Sequence, residues 1–188
     1  MRHAPSHRAT RTEHTLVLGG ARSGKTRHAL ALAEAFPRRT YLATAEAFDD
    51  EMAERIAAHK AERGEGWVTL EAPLALDEAI AAINSDGTSD VIAIDCLTIW
   101  LSNAMHREAD IDAVTERLLA AVSRSRLPIV MVSNEVGLSI VPENALARRF
   151  RDAQGRLNQR VAAVADRVTF VAAGLPLSLK APAETRGG

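Results

Sequence analysis

The chain has 188 residues, 47% hydrophobic and 25% charged, an ordinary balance for a soluble globular protein that excludes disordered and fibrous classes. A net charge of −1 supplies no basic field to draw the protein to nucleic acid or to an anionic membrane, so any anion site must be local. The single cysteine, Cys96, excludes an intrachain disulfide and fits a cytoplasmic location, and no apolar run reaches the ~18 residues of a transmembrane helix.

Residues 1–14 are polar and basic, lack the apolar core of a secretory signal and read as a disordered tail that includes His3, His7 and His14. Residues 15–18 form an apolar strand ending in two glycines, and a helical pattern over 24–36 stops at Pro37. A second strand follows at 40–44, and Asp49, Asp50 and Glu51 supply first-turn acids for a helix reaching Arg63. A strand over 67–70, a helix over 74–83 and an apolar strand over 91–94 ending in Asp95 continue the alternation. Helices over 97–105 and 111–123 come next, then a strand over 129–132 and a loop over 134–141. Pro142 suits the first turn of a long helix reaching Ala165, after which a strand over 168–171 and a short edge over 177–179 close the pattern. Nearly uniform apolar strands alternating with helices predict an α/β architecture with a mostly parallel sheet covered on both faces. One domain is expected over 15–180, with 181–188 as a loose tail.

Residues 19–26 read GGARSGKT, which satisfies the phosphate-loop pattern G-x-x-x-x-G-K-[ST] in its required strand-to-helix setting. Gly19, Gly20, Ala21, Arg22, Ser23 and Gly24 would wrap backbone amides around phosphate oxygens. Lys25 would neutralise the β- and γ-phosphates, and the Thr26 hydroxyl would hold Mg²⁺. The expected fold is therefore a three-layer P-loop nucleoside triphosphatase of the RecA-like type. Such a loop needs a carboxylate at the end of an apolar strand, and VIAID puts Asp95 there. Asp95 would equally serve as N-cap of the helix that starts at Leu97.

His59 lies three residues after Ile56 and is flanked at i−4 and i+4 by Arg55 and Arg63. The arginines make an anion-binding face and keep the imidazole neutral and nucleophilic near pH 7. Periodicity alone favours His59 as a half-buried packing residue. Cys96 reads as a buried side chain without support for a catalytic role. The segment NEVGLSIVPEN, with Asn134 and Glu135, and Arg148, Arg151 and Arg156 on the long helix, receive no step.

GGARSGKT, YLATA, DDEMAERIAAHKAER, the segment from Trp67 to Glu71, NEVGLSIVPEN and RRFRDAQGRLNQRVAAVAD together resemble the bifunctional adenosylcobinamide kinase and adenosylcobinamide-phosphate guanylyltransferase family of cobalamin biosynthesis. The resemblance covers about residues 15–180. It implies that ATP or GTP phosphorylates the corrinoid adenosylcobinamide, and that GTP then transfers GMP to the product through a guanylyl-histidine. His59 matches that histidine. The family's nucleotide contacts carry over to residues 19–26, to Ala43, Thr44 and Ala45, to Lys60, Ala61, Glu62 and Arg63, to Glu71 and to Asp95. Mg²⁺ at Thr26 and Asp95 and a homotrimer are further implications of the resemblance.

Overall fold

The structure is a computed structural model that describes residues 12–46 and 66–182. The helix expected between Asp49 and Arg63 lies outside the described residues. With it lie Arg55, His59, Lys60, Ala61, Glu62 and Arg63.

In chain order the described elements are β1 (Thr15–Gly19), α1 (Lys25–Ala33), β2 (Arg39–Ala43), β3 (Trp67–Glu71), α2 (Leu76–Asp86) and β4 (Val91–Asp95). There follow α3 (Leu97–His106), α4 (Ile111–Arg124), β5 (Ile129–Asn134), α5 (Ala145–Val164), β6 (Arg167–Ala172) and β7 (Leu175–Lys180). The strands form one sheet in the order β3-β2-β4-β5-β1-β6-β7. The first six run parallel, and β7 returns antiparallel along β6. This is the predicted mostly parallel α/β sheet.

Alternation along the strands separates two cores. Leu16, Leu18, Leu42, Ile92, Ile94 and Met131 face one way and pack with the apolar faces of α2 to α5. Val17, Val130, Val132 and Val171 face the other way, against Ala29 and Ala33 of α1. The small alanines let α1 lie close on the sheet, which sets the phosphate loop directly above β1.

Three of the differences from the sequence expectation have a visible physical cause. Helix α1 ends at Ala33 rather than Phe36, with Phe36 N donating to Ala33 O in a closing turn before Pro37. The long helix starts at Ala145 rather than in the turn of Pro142, because the Asn144 side chain accepts from Leu146 N at 2.7 Å and Ala147 N at 3.3 Å and supplies the cap. His14, expected in the tail, is instead buried, and its carbonyl accepts from Asp166 N and Arg167 N. Pairing with the residues that lead into β6 draws it in.

The edge strand β7 is exposed along its length, and its last residue ties it down. Lys180 Nζ donates to Ala162 O at 3.0 Å, Ala163 O at 3.2 Å and Ala165 O, where the α5 carbonyls lack helical partners.

Candidate active site

Parallel strands bring their C-terminal ends to one edge, where ligands of open α/β sheets bind. Gly19, Ala43, Glu71, Asp95 and Asn134 end β1, β2, β3, β4 and β5 there. Gly19 is level with Asn134 across β1 and β5, and Ala43 is level with both Glu71 and Asp95. One strand, β5, separates the phosphate-loop strand from the strand of Asp95.

The loop itself is built for anions. Gly24 adopts φ +93°, a left-handed conformation that a side chain would strain, and Ser23 N donates to Gly20 O at 3.3 Å. The first bond of the α1 ladder is His28 N to Gly24 O at 3.0 Å, so the ladder leaves the amides of Lys25, Thr26 and Arg27 at the helix N-terminus. Lys25 is buried, and its Nζ donates to Gly20 O at 3.0 Å, which folds the ammonium back over the loop.

Asp95 is not a helix cap. The cap residue of α3 is Cys96, which makes no side-chain cap bond. Asp95 Oδ2 is instead buried with no hydrogen-bond partner among the described residues, a costly arrangement unless a ligand completes it. Burial, reinforced by the neighbouring Asp95 carboxylate and opposed by Lys25, pushes the Cys96 thiol up to about 11. A thiol held protonated in this way is a packing group rather than a nucleophile.

Thr44, for which the resemblance implies a nucleotide contact, has a structural role at this edge. It is fully buried, and its hydroxyl donates to Cys96 O and accepts from Cys96 N, both at 2.8 Å. Its amide donates to Asp95 O at 3.2 Å, and its carbonyl accepts from Asn103 Nδ2 at 2.9 Å. Thr44 therefore clamps the backbone that carries Asp95. Glu71 reaches the same edge on the outer strand β3 and is exposed. His59 and residues 60–63 lie outside the described residues.

Sequence reasoning left Asn134 without a role, and the structure supplies its supports. Asn134 N donates to Thr98 Oγ1 at 2.8 Å, and Asn134 O accepts from Asn158 Nδ2 at 3.0 Å. Behind it, Ser133, Gln154 and Asn158 form a buried polar cluster. Ser133 Oγ donates to Asn158 Oδ1 at 2.7 Å, and Gln154 Nε2 donates to both Ser133 Oγ and Asn158 Oδ1 at 2.9 Å. Glu135 N then donates to Gly19 O at 3.1 Å, joining this strand end to the phosphate loop. The signal in the sequence was a pair of amides four residues apart, Gln154 and Asn158, beside the apolar stripe of Ala153, Leu157 and Val161. Arg148 is occupied locally, with Nη1 donating to Pro142 O at 2.9 Å and to Glu143 O, and Arg151 pairs with Asp152 at 3.1 Å.

A phosphate loop between β1 and α1, with a carboxylate two strands away at the same edge, defines a P-loop nucleoside triphosphate-binding protein. In fold alone the chain is similar to the flagellar accessory protein FlaH from Methanocaldococcus jannaschii, with a TM-score of 0.50 at 14% identity over 90% of this chain and 79% of that one. The chain belongs to the cobinamide kinase / cobinamide phosphate guanyltransferase family, whose model matches residues 15–179. It is 43% identical over 180 residues to the bifunctional adenosylcobalamin biosynthesis protein CobU of Salmonella typhimurium, covering 88% of this chain and 98% of that protein. The corresponding CobP of Pseudomonas aeruginosa is 45% identical over 168 residues, with 88% and 96% covered. CobU of Escherichia coli is 41% identical over 181 residues, with 88% and 98% covered.

Proposed function

We propose that this chain carries out both reactions for which its family is named: phosphorylation of adenosylcobinamide by ATP or GTP, then transfer of GMP from GTP to adenosylcobinamide phosphate. The observation that carries this reading is the buried Asp95 Oδ2, unpartnered among the described residues, at the edge that holds a complete phosphate loop, in a chain of this family. Phosphoryl transfer demands positioned positive charge more than covalent chemistry. Lys25 and the amides at the start of α1 supply that charge along the phosphate chain. The orphaned Asp95 oxygen and the Thr26 hydroxyl fit an Mg²⁺ ion, which takes few protein ligands and several from phosphate and water. When bound, the ion neutralises charge that builds on the transferred group.

For GMP transfer, His59 is the nucleophile. Its imidazole nitrogen forms a bond to the α-phosphorus as pyrophosphate leaves, and a phosphate oxygen of adenosylcobinamide phosphate then displaces the histidine to form the diphosphate. Lys60, Ala61, Glu62, Arg63, Ala43, Ala45 and Glu71 complete the nucleotide contacts on this reading, the molecule works as a homotrimer, and it acts in the cytoplasm. Among the described residues no helix is long and apolar enough to cross a membrane.

The test is incubation of the full chain with adenosylcobinamide, Mg²⁺ and either ATP or GTP. Adenosylcobinamide phosphate is expected with both nucleotides, and adenosyl-GDP-cobinamide with pyrophosphate when GTP is present. Nucleotide hydrolysis with unmodified corrinoid would overturn the reading and leave a nucleotide-dependent switch.

A further inference from the structure

Strand alternation assigns a face of the sheet to each residue that ends a strand at the phosphate-loop edge. In β5, Val130 and Val132 pack with Ala29 and Ala33 of α1, while Ser133 turns the other way and bonds to Gln154 and Asn158 of α5. Asn134 follows on the α1 face. In β4, Ala93 packs on the α1 side with Leu30 and Ile94 joins the opposite core, so Asp95 shares that face. Gly19 shares it too, since a Cβ there would collide with Ser23 Oγ of the loop folded over the end of β1.

The register sets the heights. Asn134 is level with Gly19 across β1, and Asp95 is level with Val132 on the other side of β5. Asn134 therefore stands one two-residue repeat farther out than Asp95, about 7 Å, beside the phosphate loop. Its backbone is fixed from three directions: N donates to Thr98 Oγ1, O accepts from Asn158 Nδ2, and the next amide, Glu135 N, donates to Gly19 O. The Glu135 carboxylate is engaged locally, accepting from Gly137 N at 2.6 Å. The half-buried Asn134 carboxamide, by contrast, makes no hydrogen bond among the described residues. A side chain held firmly at its base and unengaged at its tip is preorganised for a ligand between the loop and Asp95.

We propose that Asn134 is a catalytic residue of the kinase step, its Nδ2 donating to a non-bridging oxygen of the γ-phosphoryl group during transfer; the proposal rests on the adenosylcobinamide kinase reading above. In that step the hydroxyl oxygen of adenosylcobinamide bonds to the γ-phosphorus as the bond from that phosphorus to the β–γ bridging oxygen breaks. The electron pair leaves with ADP or GDP, and the hydroxyl proton goes to water. Charge spreads over the three equatorial oxygens of the transferred group, and a fixed donor aimed at one of them acts where that charge develops. A neutral carboxamide takes up no proton, so its contribution is donation alone. GMP transfer breaks a bond at the α-phosphorus, farther along the chain, and does not depend on this donor.

The experiment compares the full chain with Asn134→Ala and Asn134→Asp in phosphorylation of adenosylcobinamide by ATP, in melting temperature, and in labelling by GTP that carries its label at the α-phosphate. Both variants should lose about 100-fold in kcat with KM for ATP little changed, as when a donor that acts in the transition state is removed. Their melting temperatures should match the parent's, since no hydrogen bond of the side chain is lost, and the α-phosphate adduct should still form. A parental kcat in both variants would overturn the proposal. So would a raised KM at unchanged kcat, which marks uniform binding of the nucleotide. A lowered melting temperature with both reactions impaired alike would make Asn134 structural and overturn it equally. A parent chain that leaves adenosylcobinamide unphosphorylated would overturn the kinase reading, and the proposal with it.

Discussion

Thr44 and Cys96 exchange hydrogen bonds through one hydroxyl, which donates to Cys96 O and accepts from Cys96 N, each at 2.8 Å. The contact joins the end of β2 to the residue after β4, and it fixes the backbone from which Asp95 projects. Thr44→Val keeps the shape but leaves the buried Cys96 N without its hydroxyl acceptor, at a cost of about 1–3 kcal/mol, while Cys96 O keeps the bond from Trp100 N at 3.1 Å. Denaturant unfolding should show that loss, and phosphorylation of adenosylcobinamide should slow with it. Thr44→Ser retains the hydroxyl and should restore most of both.

Asp95 should show the opposite separation of stability from activity. Its Oδ2 is buried without a partner among the described residues, so Asp95→Ala removes an unmet polar group rather than a bond. The melting temperature should stay level or rise, while the kinase rate falls by about 100-fold or more, in line with removal of one electrostatic contact to a transition state. A parallel fall in stability and rate would mean that Asp95 is structural.

His59 and Lys25 divide the two reactions. GTP labelled at the α-phosphate should leave an acid-labile, base-stable adduct on the parent chain and none on His59→Ala, which should still phosphorylate adenosylcobinamide. Lys25→Ala should impair both steps if a single loop serves them. Undiminished adduct formation in Lys25→Ala would establish a second nucleotide site.

At the opposite end of the sheet Arg38 grips Asp90 through Nε at 3.1 Å and Nη2 at 2.6 Å. The hydrogen bond from Arg38 holds the Asp90 carboxyl below its ordinary value of 3.8, against an opposing desolvation effect. A carboxyl depressed on folding contributes stability above its unfolded pKa and loses that contribution as pH falls through the folded value. Asp90→Asn should therefore be less stable than the parent at neutral pH, and the two should converge below pH 3.8. A constant gap across a pH series of melting curves would contradict the assignment.

Much of the fold was legible because its determinants are local. The runs TLVL, VIAID and IVMV mark buried parallel strands by their apolar continuity, and GGARSGKT sets its own turn through the glycines. The start of α5 was misplaced because Pro142 and Asn144 both suit a helix entrance, and only the Asn144 bonds to Leu146 and Ala147 separate them. Asp95 was legible as a strand-end carboxylate, but whether it caps the next helix was settled only by its environment, which puts the cap at Cys96. The Gln154–Asn158–Ser133 cluster was overlooked, since polar residues on a helix normally face water.

By itself the sequence determined the alternating α/β pattern, the phosphate loop and the family, all of which depend on spacing along a covalent chain. Tertiary structure alone decided that Thr44 holds the backbone beneath Asp95, that Asn158 supports Asn134, and that Glu135 N bonds to Gly19 O. Those contacts join residues brought together by strand order, and strand order follows from how two apolar faces of one sheet are covered, which no local stretch specifies.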